Sequence, residues 1–292
     1  MLLLVFTVAI SAQSAGKAGL SFLKIGFGAR NLGMSDLGVA GVKDVSAINY
    51  NPAQLVDNTQ QLMFNHNEWI QDVSTEIFAG QFQFWGLPFA IGVNTTSVSD
   101  LEYRDVPGPV QTTFDVSYFY SSISTAFNLT EQIRVGATMK YIYESMWRDD
   151  AAGIGYDLGL LYSDVIENLE LGLSFRNLGS MDILRNEKTE LPADMRFGAA
   201  YDYELESLEA NLQIIGGVQK YLDVDETHIH FGGEFLYKKI IALRGGYVTS
   251  YESKGISAGL GLLYNDFNFD YAYSPFDFDL GSAHTISLKY TF

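Results

Sequence analysis

The sequence predicts an all-β protein, a 14-stranded antiparallel transmembrane β-barrel with an N-terminal hatch, and three observations carry the prediction. Apolar and polar residues alternate along most of the chain. Aromatic residues make up 14% of it and charged residues only 18%, below the figure of about 25% that is usual in soluble domains. The chain also ends on an alternating strand that stops at Phe292. A lipid-facing surface with aromatic girdles requires this composition and this alternation.

The first element is an apolar run, LLLVFTVAISA at residues 2–12, followed by the polar QSAGK. A transmembrane helix needs about 20 residues, so this run is too short to be one. It fits the apolar core of a secretory signal, and we predict a signal peptide over residues 1–12. No Lys or Arg precedes the run, which is unusual for a signal. The chain contains no cysteine, so disulfides and thiolate metal sites are excluded.

The second element, residues 13–59, is rich in glycine and lacks sustained alternation. A barrel of fourteen strands is wider than the eight-stranded size that side chains alone can fill. We therefore predict that this segment is a hatch inside the barrel. Its glycines permit tight turns, its proline fixes one turn, and its charges would face opposite charges on the wall. The residues predicted for this role are Lys24, Gly26, Gly28, Arg30, Asp44, Asn51 and Pro52.

The third element, residues 60–292, is predicted to form the barrel, because its apolar and polar residues alternate in stretches of roughly ten residues that end at Gly, Asn, Asp or Pro. The predicted strands cover 60–69, 75–85, 87–98, 111–128, 133–146, 152–163, 167–178, 193–203, 208–221, 227–237, 239–249, 254–265, 267–275 and 283–292. Connections after even-numbered strands are short, and the long ones, at 99–110, 147–151 and 179–192, follow odd-numbered strands. Outer-membrane barrels have this asymmetry between periplasmic turns and extracellular loops. A soluble β-sandwich would not sort its loops by parity, and it would expose many Tyr, Phe and Leu side chains.

Charged residues of both signs take inward positions on the predicted strands. They are Arg134, Lys140, Asp157, Glu170, Arg176, Arg196 and Arg244. A pore selective for anions or cations would show one dominant sign. Mixed signs indicate ion pairs within the wall and with the hatch, while plain hydration of the barrel interior is the alternative.

The last strand, HTISLKYTF, places Leu288, Tyr290 and Phe292 on one face. We predict that this face meets lipid and serves as the signal read by the barrel assembly machinery. The predicted location is therefore the bacterial outer membrane.

The long loops are acidic, and Tyr103, Met146 and Trp147 lie in or beside them. The plain interpretation is solubility. The sharper one is an extracellular platform on which these three side chains anchor a partner protein, because aromatic anchors dominate many interfaces.

No catalytic set is visible, and we predict that the chain is not an enzyme and holds no cofactor or metal. His228, His230 and Glu234 share one strand face and are potential metal ligands, but polar lining of the barrel interior is the preferred interpretation. His284 and Ser287 point to opposite faces of one strand, so they cannot act together. GFGARN at 26–31 lacks the third glycine of a dinucleotide fingerprint. A formal net charge of −17 argues against nucleic acid as a partner.

Two N-terminal stretches carry a family resemblance. FLKIGFGARNLGMSDLGVA at 22–40 and DVSAINYNPAQL at 44–55 resemble the N-terminal signature of the PorV/PorQ family of outer-membrane proteins, which serve type IX secretion in Bacteroidota and have a FadL-like barrel. LSFRNLG at 173–179, LPADMRFGAAY at 191–201 and HTISLKYTF at 284–292 extend the likeness. The chain departs from the family pattern by KDVSA in place of DDASA, and by Gln54 in place of a glycine after NPA.

The resemblance implies a non-enzymatic secretion component with partners at the translocon. Family members of the PorV type receive the C-terminal signal domains of cargo, and those of the PorQ type anchor surface attachment proteins. The sequence does not separate these two roles. The FadL relationship leaves a second hypothesis open, a transporter for hydrophobic small molecules, which predicts an apolar pocket and a displaceable hatch.

Overall fold

The computed structural model describes residues 19–56, 58–147 and 149–292, so the predicted signal peptide at 1–12 lies outside the described residues. Fourteen antiparallel strands form a closed barrel in which the first strand pairs with the last. They are β1 (Gln61–Glu68), β2 (Val73–Phe84), β3 (Leu87–Tyr103), β4 (Thr112–Asn128), β5 (Ile133–Met146), β6 (Asp149–Tyr162), β7 (Leu169–Met181), β10 (Asp194–Leu205), β11 (Ala210–Tyr221), β12 (Thr227–Tyr237), β13 (Ile241–Val248), β14 (Ile256–Tyr264), β15 (Phe267–Pro275) and β16 (Ser282–Thr291). The short strands β8 (Ile183–Leu184) and β9 (Glu187–Lys188) form a separate hairpin. The predicted fourteen-stranded barrel is confirmed.

Alternation in the sequence becomes two chemically different faces of the barrel wall. On β16, Ile286 and Leu288 are exposed at 40% and 45%, whereas Thr285 and Ser287 between and beside them are buried. The same division holds along β5 and β6. Side chains in a strand alternate between its two faces, so one strand supplies both the apolar exterior and the polar interior.

Two-residue turns close some hairpins at the end where β1 begins and β16 ends. Trp85 and Gly86 connect β2 to β3 with positive φ at both residues, 51° and 77°, as a type I′ turn requires. Trp85 is 88% exposed, and its ring lies 4.5 Å from that of Phe84. Tyr290 and Phe292 add rings at the same end of the barrel. Such a girdle is typical of a membrane–water interface.

Long connections lie at the opposite end, at 104–111 and 182–193. In outer-membrane barrels the long loops face outward from the cell, and we call this the loop end. The predicted loop 99–110 is wrong at its start, because β3 continues to Tyr103 through a bulge between Val98 and Leu101. Asp100, at φ 58°, takes up the extra residue. The predicted loop 147–151 is also shorter, since β6 begins at Asp149.

The N-terminal segment, residues 19–56, consists of short helical turns. They are three 3-10 helices at Ser21–Lys24, Val45–Asn49 and Pro52–Gln54, and one α-helical turn at Ala29–Leu32. Asp44 and Asn51 begin two of these turns by accepting a hydrogen bond from the backbone N–H two residues ahead, as N-cap residues do. Among the described residues, no helix is long and apolar enough to cross a membrane.

This segment lies inside the barrel, because it contacts inward-facing side chains on all sides of the wall. Its backbone bonds to side chains of β1, β7, β10, β12, β14 and β16. Its apolar residues, among them Phe27, Ile48 and Leu55, form a core with Met63 and Ile77 of the wall. The protein core therefore lies between the segment and the wall rather than between two layers of the wall.

Glycines of the inner wall make room for the segment. A Cβ on Gly136 would overlap the backbone of Ala53, and one on Gly172 would overlap the carbonyl of Val39. Any side chain at these positions would push the segment away from the wall. The glycines in the strands thus follow the course of the N-terminal chain.

Candidate functional site

A cavity of about 650 Å³ opens at the loop end, between the start of the N-terminal segment and the barrel wall. Its volume lies within the range of about 300–1,000 Å³ that small-molecule sites occupy. The cavity is bounded by residues 19–25, by the loops at 69–73, 223–226 and 251–254, and by inward side chains of the strands. Its aromatic lining consists of Phe22, Trp69, Tyr118, Tyr221, Tyr251 and Phe276.

The aromatic rings of the cavity are paired across elements that are distant in sequence. Phe22 of the segment stacks on Tyr118 of β4, with ring centroids 4.9 Å apart. Trp69 meets Phe276 edge to face at 5.1 Å. His228 stacks on Tyr251 at 3.8 Å. These pairs hold flat, apolar walls in fixed positions, which suits a small apolar or aromatic ligand.

Two lysines also line the cavity, and both lie over aromatic faces. The Nζ of Lys24 is 4.6 Å from the ring centre of Tyr221, and the Nζ of Lys254 is 4.7 Å from that of Tyr251. Neither makes an ion pair with another residue in the described part of the chain. Burial lowers the pKa of Lys254. The structure thus holds Lys24 by a cation–π contact, whereas the sequence predicted an acidic partner.

Deeper in the barrel, an ion-paired cluster joins the segment to four strands, β11, β12, β13 and β15. The guanidinium of Arg30 donates to Glu234 at 2.9 Å and to Gln213 at 2.9 Å. Arg244 donates to the same Glu234 at 2.5 Å and to Asp270 at 2.7 Å. Burial opposes the charge of Arg30, but Glu234 outweighs it and raises the pKa of Arg30. Buried charges are tolerated because each has an opposite charge within hydrogen-bond distance.

A second cluster lies on the other side of the interior. Lys140 pairs with Asp157 at 2.7 Å, and both side chains are 1% exposed. Arg196 pairs with Asp194 at 3.3 Å and donates to the backbone carbonyls of Asp36 and Leu37. Sequence reasoning missed Asp194, although it is in phase with Arg196 on the same strand.

Arg176 belongs to this second cluster as well. It lies 3.9 Å from Asp194 and donates to the carbonyl of Leu23 in the segment. Glu170 accepts a hydrogen bond from the N–H of Gly41, so it too joins the wall to the segment. Arg134 lies on the inward face of β5, towards the short turns.

The remaining residues predicted for the hatch lie in tight contacts. A Cβ on Gly26 would overlap the Asp36 carboxylate, and Gly28 has φ 87°. Asp44 pairs with Lys289 at 3.0 Å. The amide of Asn51 donates to the carbonyls of Val39 and Leu160, while Pro52 opens the turn that follows it.

Burial alone would raise the pKa of Asp44. The Lys289 ammonium and the hydrogen bonds from Ser46 outweigh that effect and hold its pKa well below the usual range. Asp44 therefore lies in the barrel interior as a charged group.

The predicted partner platform is a small aromatic cluster at the loop end. The ring of Trp147 lies 4.8 Å from those of Tyr103 and Phe114. Tyr103 and Met146 are the last residues of β3 and β5, so they project from strand ends and not from loops.

The histidines do not assemble a metal site. His230 contacts the carbonyl of Ser35 at 2.6 Å, and Glu234 is occupied by the two arginines. Within the described residues, no three His, Asp or Glu side chains are grouped to hold a metal ion.

The sequence matches no protein-family model and no curated protein. Solved structures of outer-membrane barrels match the fold. The toluene transporter TodX of Pseudomonas putida matches with a TM-score of 0.64 at 14% identity, over 91% of this chain and 98% of TodX. The CymD monoaromatic hydrocarbon channel matches with a TM-score of 0.62 at 14% identity, over 91% of this chain and 97% of CymD. A FadL homologue of Pseudomonas aeruginosa matches with a TM-score of 0.49 at 10% identity, over 90% and 97%.

The matches to TodX and CymD agree with the lipid-facing exterior and the sorted loops. None of them is a match to the PorV/PorQ family. The chain has the fold of a bacterial outer-membrane β-barrel of the kind seen in TodX and CymD.

Proposed function

We propose that the chain is an outer-membrane channel for small hydrophobic molecules, and that aromatic compounds are its preferred ligands. The observation that carries the proposal is the cavity of about 650 Å³ lined by aromatic side chains at the loop end. The fold supports it, because two solved structures that match over nearly their whole length are a toluene transporter and a monoaromatic hydrocarbon channel. The sequence hypothesis of a hydrophobic transporter is thus preferred to a secretion component.

The N-terminal segment gives the cavity its inner boundary. Phe22 belongs to the segment and contacts Tyr118 of the wall, so a ligand from outside meets the segment before it meets the ion-paired interior. An apolar ligand gains by leaving water for this aromatic surface. Binding at the cavity is the first step of passage. The second step requires the segment or the barrel wall to move and open a path for the ligand.

Fluorescence of Trp69 tests the proposal. The chain has three tryptophans, and only Trp69 lines the cavity, so a variant with Trp85→Phe and Trp147→Phe reports on the site alone. We expect titration with toluene to change its emission in a saturable way. Tyr118→Ala should weaken binding about threefold to tenfold, because an aromatic partner is lost. A response that does not saturate contradicts the proposal.

Tyr156→Ala is the matched control for that experiment. Tyr156 is also a tyrosine of a barrel strand, but it faces outward and is 46% exposed. We expect toluene binding to be unchanged in this variant. Equal losses in the two variants would show that toluene enters the surrounding detergent or lipid, and not the cavity.

A role in type IX-like secretion is the second proposal, supported by the N-terminal residues that resemble the PorV/PorQ signature and by the aromatic cluster of Tyr103, Phe114 and Trp147. Cargo C-terminal domains or surface attachment proteins would bind there. Crosslinked pull-down from native membranes tests it, with Trp147→Ala as the variant. Recovery of a secretion partner with the natural chain and its loss with Trp147→Ala would support this role, and recovery of none would contradict it.

A further inference from the structure

The pairing of β1 with β16 differs from every other strand pairing in the barrel. These are the first and last strands, so no connecting loop joins them at either end. Eight register pairs, from Gln61↔Thr291 to Glu68↔His284, close the barrel here. We call this pair of strands the seam. Its strands are held together only by non-covalent contacts, whereas loops join the neighbours elsewhere.

The inner face of the seam is polar and buried. Asn65 and Asn67 on β1 are fully buried, as is Ser287 on β16. The hydroxyl of Ser287 donates to Asn65 at 2.9 Å, and that of Thr285 donates to Asn67 at 2.8 Å. Each of these bonds joins two residues that are directly opposite in the register.

The N-terminal segment crosses the seam at two points, each time with two consecutive residues. At the first crossing, the N–H of Gly28 donates to Asn65 of β1 at 3.2 Å, and the N–H of Ala29 donates to Ser287 of β16 at 2.7 Å. One dipeptide therefore bonds to both strands at the same level of the barrel.

The second crossing repeats this arrangement nearer the short turns. The N–H of Val45 donates to Gln61 of β1 at 2.9 Å, and Asp44 accepts from the ammonium of Lys289 of β16 at 3.0 Å. Asp44 is fixed in place because its carboxylate also caps the following turn through Ser46. The two crossings together make a bridge over the seam, and the bridge is independent of the lipid-facing exterior.

We propose that the N-terminal segment is the clasp that holds the barrel closed between its first and last strands. This goes beyond a role in transport, because it gives the segment a part in assembly and stability whatever the barrel carries. Contacts of the segment at the seam therefore resist separation of β1 from β16. Equivalent contacts elsewhere hold the segment in place but do not keep the barrel closed.

The experiment compares matched variants by the temperature at which the compact band on unboiled SDS gels converts to the extended band. The clasp variant is Ser287→Ala with Lys289→Met. The control is Ser257→Ala with Arg30→Met, because Ser257 accepts from the N–H of Ser35 at 3.1 Å and Arg30 pairs with Glu234 at 2.9 Å, both away from the seam. We expect the clasp variant to convert about 5 °C lower and the control to change less.

A disulfide across the seam separates barrel opening from general destabilisation, since the chain has no cysteine of its own. Phe64→Cys with Leu288→Cys places a pair on outward register partners of the seam. Ile123→Cys with Met139→Cys does the same between β4 and β5. Placed in the clasp variant and oxidised, the seam pair should restore the conversion temperature, and the β4–β5 pair should not.

Equal shifts in the clasp and control variants, or equal rescue by both disulfides, would overturn the proposal. If the clasp variant yields no folded protein, Ser287→Ala alone against Ser257→Ala alone provides the same comparison. Both remove one serine that accepts from a backbone N–H of the segment, and Ser287 in addition donates to Asn65 across the seam. Thr285→Ala, which removes the bond from Thr285 to Asn67 between the same two strands, measures that second contribution.

Discussion

The outer and inner faces of the barrel are made by the same strands, yet they meet different physical demands. On β6, Tyr156 and Leu158 point outward and are 46% and 51% exposed. Asp157 lies between them, is 1% exposed, and pairs with Lys140. Lipid accepts any apolar shape, so the outer face needs only the right chemistry. The inner face must match the atoms of a particular peptide segment, so it needs the right shape and the right partners as well.

The largest effect is expected from substituting the lipid-facing residues of the last strand. Replacing Leu288, Tyr290 and Phe292 by Ser places polar groups against lipid and removes the predicted assembly signal, and we expect insertion to be lost. Heat-modifiable migration and membrane fractionation measure this.

A control triple on β6, Leu158, Leu160 and Tyr162 to Ser, removes apolar side chains from a strand that is not terminal. We expect it to insert with reduced yield. Equal loss in the two triples would show that lipid contact alone matters and would contradict an assembly signal in the last strand.

The next largest effect is expected when the segment that packs against the inner face is removed. Deleting residues 17–55 removes the segment that occupies the barrel and its contacts at the seam, and we expect an inserted barrel with a lower conversion temperature and a large conductance, whereas the intact chain conducts little. Planar-bilayer recordings of both proteins test this. A large conductance from the intact chain would contradict the predicted hatch and would indicate an open, porin-like channel.

A sharper comparison uses two neighbouring glycines that face opposite ways. A Cβ on Gly246 would overlap the backbone of Ser35, while a Cβ on Gly245 would meet nothing within 4 Å. We expect Gly246→Ala to destabilise the protein by about 2 kcal/mol, because overpacking forces the segment to move. Gly245→Ala should change little. Conversion temperatures of the two variants decide, and equal values would mean that the segment is not seated against this wall.

The smallest expected effect is a loss of folding stability at low pH. The folded-state pKa of Asp44 is depressed, so its contribution to stability is complete above its unfolded pKa of about 4 and is lost as the pH falls below that value. Between about pH 6 and about pH 3 we expect the natural chain to lose about 1 kcal/mol more than Asp44→Asn does. Conversion temperatures measured across this range test the prediction, and parallel losses in the two proteins would contradict it.

The sequence predicts the outer face well and the inner face only in outline. Alternation of apolar and polar residues is a local property, so the strands and the terminal face with Leu288 and Tyr290 follow from short windows. Most of the charge pairs are not local: Arg30 pairs with Glu234, and Lys289 pairs with Asp44, because the segment folds into the closed barrel. The cavity was missed for the same reason, because Phe22, Trp69 and Tyr251 come from three separate parts of the chain.

The bonds between wall and segment also determine where mutations will be tolerated. Ser287 and Ser257 accept from amide N–H groups, while Arg176 and Arg196 donate to carbonyls, so the wall recognises mainly the backbone of the segment. Every residue except proline offers the same N–H, and every residue offers the same carbonyl. In a saturation scan, substitutions should therefore be harmful at these wall positions, at the inward glycines, and at the buried apolar residues of the segment such as Phe27, Ile48 and Leu55. The tolerant positions of the segment should be those with exposed side chains, Ser21 and Lys43. The part of the molecule that lies deepest inside it is then the least free to vary.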